Sequence, residues 1–179
     1  MGRKKCVLIL LALYVLSIDS FCQGKAEAPK PGVIVETNLA YWALSAISHS
    51  ESNLLAIIPL YSQICLSDDL SLDASVVYIF NRNSKTANSG SMLLTEIGMS
   101  FHPFGNGLPG WTMGILPGIL YSFDSNIVGL AISANAGYQW IIDERIVVGA
   151  LIGGRYIYVG GTLALPDLAI NVGWRFGEN

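Results

Sequence analysis

The amino-acid sequence predicts an all-β protein, an eight-stranded antiparallel up-and-down transmembrane β-barrel. Three observations lead to this fold class: an apolar composition, an export signal at the N-terminus, and a two-residue alternation of apolar and polar side chains. Of the 179 residues, 52% are hydrophobic and only 13% are charged, whereas soluble domains carry about 25% charged residues. So few charges do not cover the surface of a water-soluble domain of this size, and this favours a membrane protein.

The first 22 residues have the order of a secretory signal peptide. Basic residues at positions 3–5 are followed by a continuous apolar run at 7–16 and then by small and polar residues up to Cys22. The apolar run is too short to cross a bilayer as a helix, because such a span needs about 20 residues. We therefore expect cleavage after Cys22, a flexible periplasmic arm at 23–32 and a barrel at 33–179.

Removal of the signal peptide changes the cysteine and charge content of the chain. Cys6 and Cys22 leave with the signal, so Cys65 stays alone and forms no internal disulfide. The alternative is a lipid-modified N-terminal Cys22, although Phe21 and Asp19 do not resemble the small and aliphatic residues of a lipoprotein signal. The mature chain has 7 basic and 12 acidic residues, a net charge of −5, which does not favour nucleic acid as a partner.

Alternation with a period of two residues gives each strand an apolar and a polar face. The clearest case runs from Val128 to Trp140, and similar runs end at Phe80, Tyr121 and Phe176. No mature stretch of about 20 residues is free of glycine-rich or polar interruption, as a helical span requires. Together with the turn signals between the runs, the alternation predicts strands at residues 33–46, 53–65, 70–82, 90–104, 111–122, 127–142, 146–158 and 165–176. Their even number puts both termini on the periplasmic side, as in bacterial barrels.

Aromatic residues are predicted at the two ends of the strands, where the membrane interfaces select them. If the first strand rises from the periplasm, the outer group consists of Tyr41, Trp42, Tyr78, Phe80, Tyr121, Tyr156 and Tyr158. The inner group consists of Phe101, Trp111, Tyr138, Trp140, Trp174 and Phe176. The aliphatic band between the groups indicates a bilayer, in which the strands must close into a barrel to pair their backbone groups.

The mature chain resembles the small eight-stranded outer-membrane barrels, the class of the OmpA membrane domain and the OmpX and OmpW proteins. Residues 172–176, Val-Gly-Trp-Arg-Phe, resemble the last strand that such barrels present to the assembly machinery, and Gly177 to Asn179 follow it here. Residues 101–111 are similar to a strand-turn-strand of uncharacterised small-barrel families. The resemblance implies a bacterial outer-membrane location, contact with outer-membrane lipid, and contact with the barrel-assembly machinery through the last strand. It implies no activity, because barrels of this size host unrelated functions.

The polar faces of the strands predict a polar network in the lumen, since eight strands leave room only for side chains or one small ligand. The members of this network that can carry charge are Glu36, Asp73, Glu96, His102, Arg155, Asp167 and Arg175. Because buried charges must be paired, we expect a salt bridge between Glu36 and Arg175 across the seam of the barrel. We also expect Glu96 to pair with Arg155 across the lumen, directly or through Asp167 and water.

The sequence contains no motif that predicts a catalytic, cofactor or metal site. His49-Ser50-Glu51 has the residue types of an acyl-transfer site, but neighbouring residues on a strand face opposite sides. Two distant histidines do not have metal-ligand spacing. We therefore expect a structural or surface-interaction barrel without catalysis, with a surface ligand at outer loops such as residues 83–89 as a further option. The alternatives are a narrow, porin-like pore, a carrier of a small lipid or hydrophobic ligand, and a lipid A-modifying hydrolase.

Overall fold

The barrel closes through eight antiparallel strands. The structure, a computed structural model, describes residues 32–49, 53–67, 69–83, 88–103, 110–143 and 145–176. Each strand pairs antiparallel with its neighbour in the chain, and the last strand pairs with the first. This is the up-and-down eight-stranded barrel that the alternation predicts. The predicted signal peptide and the arm before Gly32 lie outside the described residues.

The strands are β1 (Val33–Asn38), β2 (Asn53–Cys65), β3 (Leu70–Asn83), β4 (Asn88–Phe101), β5 (Gly110–Ser122), β6 (Ile127–Ile142), β7 (Ile146–Tyr158) and β8 (Thr162–Phe176). One helix, α1 (Leu39–Ser48), lies between β1 and β2. Val33 at the start of β1 is opposite Phe176 at the end of β8, so the chain enters and leaves the barrel at the same end. We call this the termini end and the opposite one the far end.

The first strand is shorter than the sequence predicts. A strand was expected over 33–46, but β1 ends at Asn38 and the chain continues as α1. Asn38 is the N-cap, and its side chain accepts a hydrogen bond from the Ala40 N–H at 2.9 Å. The helix contains three alanines and two leucines, which are strong helix formers. No helix among the described residues is long and apolar enough to cross a bilayer.

The outward face of the barrel is apolar and exposed. On β6, the outward residues Val128, Leu130 and Ile132 are 47–63% exposed, whereas the inward residues Ala131 and Ser133, which alternate with them, are buried. The same exposed face continues around the barrel with Val76, Ile97, Ile115, Ile119, Ile152, Leu168 and Ile170. The alternation therefore turns these aliphatic side chains away from the lumen.

The interior of the barrel is filled by three layers of side chains. Towards the far end, an apolar layer consists of the buried residues Ile57, Val77, Leu94, Leu120 and Ala131. Towards the termini end, a smaller apolar cluster consists of Ile34, Cys65 and Val147. Between them lies the polar belt, whose buried residues include Glu36, Gln63, Ser75, Glu96, Ser133 and Gln139.

Gly98 marks a place where two strands approach closely. The pairing of β4 with β5 is interrupted at this residue, between the pairs Glu96–Gly118 and Met99–Ile115. A Cβ atom on Gly98 would collide with the backbone of Ile115 and Leu116. Only glycine fits here without displacing the neighbouring strand.

Candidate functional site: the polar belt of the lumen

Arg155 on β7 is the centre of the charged part of the belt. Its guanidinium forms ion pairs of 3.1 Å with Glu96 and 3.1 Å with Asp167, and its Nε donates to Glu96 Oε1 at 3.2 Å. The side chain of Glu96 is 1% exposed and that of Arg155 is 10% exposed. Glu96 and Arg155 thus form the direct pair expected from the sequence, and Asp167 contacts the same cation. One buried cation faces two carboxylates.

Two serine hydroxyl groups form hydrogen bonds with the ion pair of Glu96 and Arg155. Ser75 donates to Glu96 Oε2 at 2.8 Å, and Ser133 donates to Glu96 Oε1. Arg155 Nε also donates to Ser133 Oγ at 2.9 Å. Because a buried carboxylate without such partners costs several kcal/mol, the serines stabilise Glu96 in the barrel.

The side chain of Tyr41 on α1 points into the lumen and contacts the charged cluster of Arg155, Glu96 and Asp167. Its hydroxyl donates to Asp167 Oδ1 at 2.8 Å and accepts from Arg155 Nη1 at 2.9 Å. The sequence placed Tyr41 in the outer aromatic group, on the outward face of a strand, and that placement was wrong. The helix rotates the side chain towards the lumen, because a helix does not keep the parity of a strand.

Asp73 on β3 organises a second cluster nearer the termini end. It accepts hydrogen bonds from Ser71 at 3.0 Å and from Ser100. Ser71 in turn accepts from Gln63 at 2.8 Å and lies 3.2 Å from His102 Nε2. His102 follows β4 and is buried, and this burial lowers the pKa of its imidazole, while the charge of Asp73 opposes the shift.

Glu36 does not have the partner that the sequence predicts. Its carboxylate accepts from Asn171 at 3.2 Å and from Gln139 at 3.5 Å. In the register of β1 and β8, Glu36 is opposite Gly173, whereas Arg175 is opposite Ile34. The side-chain amides of Asn171 and Gln139 therefore bind the Glu36 carboxylate, and the expected salt bridge to Arg175 is not formed.

A cavity of about 70 Å³ lies among these clusters. It is lined by polar groups from both, including Glu36, Asp73, Glu96, Arg155 and Asp167. A site for a drug-sized ligand has about 300–1,000 Å³, so this cavity is too small for such a ligand. The apolar layer lies on its far-end side and the smaller apolar cluster on its termini-end side.

Other predicted positions lie outside the belt. His49 follows α1, and Ser50 and Glu51 fall outside the described residues, as do residues 84–87 of the polar loop. Within the described part of the chain, no three His, Cys, Asp or Glu side chains are arranged to hold a metal ion.

The remaining aromatic residues form groups at the two ends of the barrel. At the termini end, Tyr138 lies 5.6 Å from Trp111 and 4.8 Å from Trp140 between ring centroids. Trp174 and Phe176 at the end of β8 are exposed at the same end. The far end carries Tyr78, Tyr121, Phe123, Tyr156 and Tyr158, with Tyr121 and Phe123 in edge contact at 4.9 Å.

The barrel wall has a gap that the sequence did not predict. β1 pairs with β2 only over Val33–Glu36 and with β8 only over Val33–Asn38, although β2 and β8 both continue to the far end. The far half of the wall therefore lacks a strand between β2 and β8. We call this opening the β2–β8 gap; α1 lies in contact with both of its edges.

Side chains next to and on α1 bind the β2 edge of the gap. Thr37 Oγ1 donates to the Pro59 carbonyl at 2.8 Å, and Ser45 Oγ accepts from the Ile57 N–H at 2.8 Å. In an antiparallel strand, the backbone groups of alternate residues point to the same side. The ring nitrogen of Pro59 therefore points into the gap, on the same side as the Ile57 N–H.

The β8 edge is arranged in the same way. Asn38 accepts from the Ile170 N–H at 3.3 Å and donates to the Leu168 carbonyl at 3.5 Å. Pro166 has the same parity, so its ring nitrogen also points into the gap. Within a sheet, proline is found mainly at such edges or at bulges because it cannot donate to a neighbouring strand. A proline in each strand next to the short β1 is the sequence signal that could have revealed the gap.

Fold and site together define a class: a closed eight-stranded antiparallel β-barrel with an apolar outer face and a charge-paired polar lumen. No protein-family model, no curated protein and no solved structure matches this chain. Its likeness to the OmpA, OmpX and OmpW class thus consists of the barrel architecture alone.

Proposed function

We propose that this protein is an integral β-barrel of the bacterial outer membrane, with a structural or surface-interaction role and no catalysis. The observation that carries the proposal is the inversion of polarity across the wall: exposed aliphatic side chains cover the outside, and the ion pairs of Arg155 with Glu96 and Asp167 lie inside. In water, so large an apolar surface would be an aggregation hazard. In hydrocarbon, the same surface is well solvated, and the strand pairing around the barrel satisfies the backbone outside the β2–β8 gap.

The two aromatic groups support an orientation in this membrane. They lie at opposite ends of the strands, as the girdles of outer-membrane barrels do. The termini end then faces the periplasm, where the assembly machinery meets the last strand, and the far end faces the exterior. The far-end connections are short: β5 and β6 are joined by four residues and β7 and β8 by three. Loops of this length suit a compact surface contact rather than a large adhesive surface.

The filling of the lumen favours a sealed barrel over a pore. Ion pairs and hydrogen bonds cross the belt, and buried apolar side chains lie on both sides of it. Planar-bilayer recording tests this part of the proposal with the native protein and with Glu96→Ala. We expect no ion current from either, and a steady current from the native protein would replace the sealed barrel with the narrow pore.

Two arginine substitutions test the membrane location, one on the outward face in the middle of a strand and one at the exposed far rim of the barrel. Ile115 lies in the middle of β5 and is 59% exposed, whereas Ile127 begins β6 at the far end and is 45% exposed. An arginine at the bilayer midplane costs about 2–4 kcal/mol and one at the interface about 0–1 kcal/mol. We expect Ile115→Arg to destabilise the vesicle-inserted barrel by the larger amount and Ile127→Arg by the smaller one, measured by urea unfolding.

A water-soluble barrel gives a different result in the same experiment. There both residues are surface positions, at which substitutions stay within about 0.5 kcal/mol. Equal and small effects, together with a protein that migrates identically on SDS gels with and without boiling, would contradict the proposal.

A further inference from the structure

We propose that the β2–β8 gap is a lateral portal with α1 as its lid, and that the far half of the lumen binds a neutral apolar molecule carrying a hydroxyl group. Such a molecule would enter from the bilayer, so the inference rests on the membrane location proposed above. The portal would give the barrel a binding site and a class of ligand in addition to the structural or surface-interaction role proposed above.

The residues at both edges of the gap indicate that it is part of the native fold. A strand in this position would need N–H donors from both edges, and Pro59 on β2 and Pro166 on β8 cannot supply them. The same two prolines leave fewer unpaired donors when the gap is open, which lowers the cost of opening in lipid. The edges are thus suited to a removable cover rather than to a permanent strand.

The helix that covers the gap is held by few side-chain hydrogen bonds. None of the ten described side chains of α1 is buried, and Ile47 in its last turn is 82% exposed. It is anchored at its N-terminus by Asn38, at Ser45 by one bond to β2, and at Tyr41 by the charged cluster. Segments with few buried contacts are the ones that open at low free energy.

Beneath α1 lies the apolar layer of the lumen. Tyr41, Leu55 and Tyr61 pack against this layer, and Ile57 belongs to it. When α1 moves away, the space vacated by the ring of Tyr41 is lined by aliphatic and aromatic side chains. One end of that space is polar, where Arg155 and Asp167 lie.

The hydrogen bonds of Tyr41 indicate the chemistry of the ligand. Its hydroxyl accepts from Arg155 and donates to Asp167 at the same time. An anion in this place meets the charges of Asp167 and Glu96, and a cation meets the charge of Arg155. A neutral hydroxyl satisfies both neighbours, so a phenol or an alcohol with an apolar body can replace Tyr41.

A thiol-labelling experiment on the mature protein in phosphatidylcholine vesicles tests the lid. Ile57→Cys in a Cys65→Ala background places a single thiol under α1, and Leu94→Cys places one in the same layer on β4, where the wall is complete. The thiols are exposed to the bilayer-soluble reagent N-pyrenylmaleimide and to the water-soluble, charged sulfonatoethyl methanethiosulfonate. We expect pyrenylmaleimide to label Ile57→Cys faster than the charged reagent does, and Leu94→Cys to stay unlabelled.

Removal of the Tyr41 hydroxyl should open the lid more often. Hydrogen bonds to charged groups contribute enough that Tyr41→Phe should raise labelling of Ile57→Cys by about tenfold or more. Tyr121→Phe is the matched control, because the Tyr121 hydroxyl bonds to Asn126 at the far end, outside the lumen. Ser45→Ala releases a different anchor and should act in the same direction. Each variant is first checked for heat-modifiable gel migration, so that unfolding is not mistaken for opening.

Three aromatic probes test the ligand class. We expect 1-naphthol to protect Ile57→Cys from pyrenylmaleimide at a concentration at least about fivefold lower than naphthalene or 1-naphthoate requires. Protection by all three probes alike, or by naphthoate best, overturns the ligand class. Labelling that is indifferent to Tyr41→Phe, or equally fast with the charged reagent, overturns the portal.

The comparison of the two arginine variants distinguishes a wrong portal from a wrong membrane location. If Ile115→Arg and Ile127→Arg differ as expected but labelling does not, the barrel is in the membrane and the portal is wrong. If the two arginines behave alike, the membrane location itself fails.

Discussion

Replacing Arg155 with methionine is the most direct test of the charge pairing in the lumen. The substitution keeps an unbranched apolar side chain but removes the cation that pairs with Glu96 and Asp167. Glu96 is 1% exposed and cannot regain water, whereas Asp167 is 14% exposed and can do so in part. Breaking a buried pair by removing one partner costs about 3–5 kcal/mol. Because only one of the two carboxylates is fully enclosed, we expect a loss near the lower end, about 3 kcal/mol.

The assay is urea unfolding of the vesicle-inserted mature protein, followed by tryptophan fluorescence. Arg145→Met is the matched control, since Arg145 lies exposed in the turn before β7 and its loss should stay within about 0.5 kcal/mol. The double variant Arg155→Met with Glu96→Gln should recover part of the loss, because it no longer buries an unpaired carboxylate. A loss below about 1 kcal/mol for Arg155→Met, or no recovery in the double variant, would refute the reasoning.

Two further predictions concern the strand contacts and the pH response. Gly98→Ala should prevent the barrel from reaching its heat-resistant form on gels, because a Cβ atom collides with the β5 backbone; Gly154→Ala, where the nearest atom would be 3.8 Å away, should leave migration unchanged. Burial lowers the pKa of the His102 imidazole in the folded protein below its ordinary value of 6.5. Between the folded and unfolded pKa values, the unfolded chain therefore binds more protons than the folded one. The free energy of unfolding should accordingly fall as the pH decreases below about 6.5. His102→Gln should remove this part of the pH dependence in urea unfolding at pH 5–7; an unchanged slope contradicts the burial of the imidazole as its cause.

Seven of the eight strands could be predicted from the sequence because each has one face towards the lumen and one away from it. The bounds of β2, β6 and β7 agree with the alternation, and the others differ by at most three residues. Side-chain parity also determines which residues share the lumen, which is why Glu96 and Arg155 could be paired. The choice among several inward partners depends on strand tilt and side-chain length. The sequence therefore missed the amides that take the carboxylate of Glu36.

The segment after Asn38 could not be predicted by the same reasoning. Its apolar residues occupy both parities, which suits a helix, but a run of ten residues beside a strand also suits a strand buried on both faces. The Asn38 side chain decides the outcome, since it caps the helix and at the same time holds the β8 edge. Such a double role depends on contacts more than 130 residues apart in the chain, and no local pattern contains it.

A helix in the wall of a barrel is compatible with lipid only if the strands beside it have few unpaired backbone groups. In this chain the requirement is met from two sides: Pro59 and Pro166 remove a donor from each edge, and Thr37, Asn38 and Ser45 bind neighbouring backbone groups. The contributions of the prolines and of Thr37 and Asn38, which belong to β1, are permanent, but the bond of Ser45 lasts only while α1 is in place. The wall thus has a closed state held by polar side chains and an open state whose cost the prolines reduce. That difference between the two states makes the gap a portal rather than a flaw in the barrel.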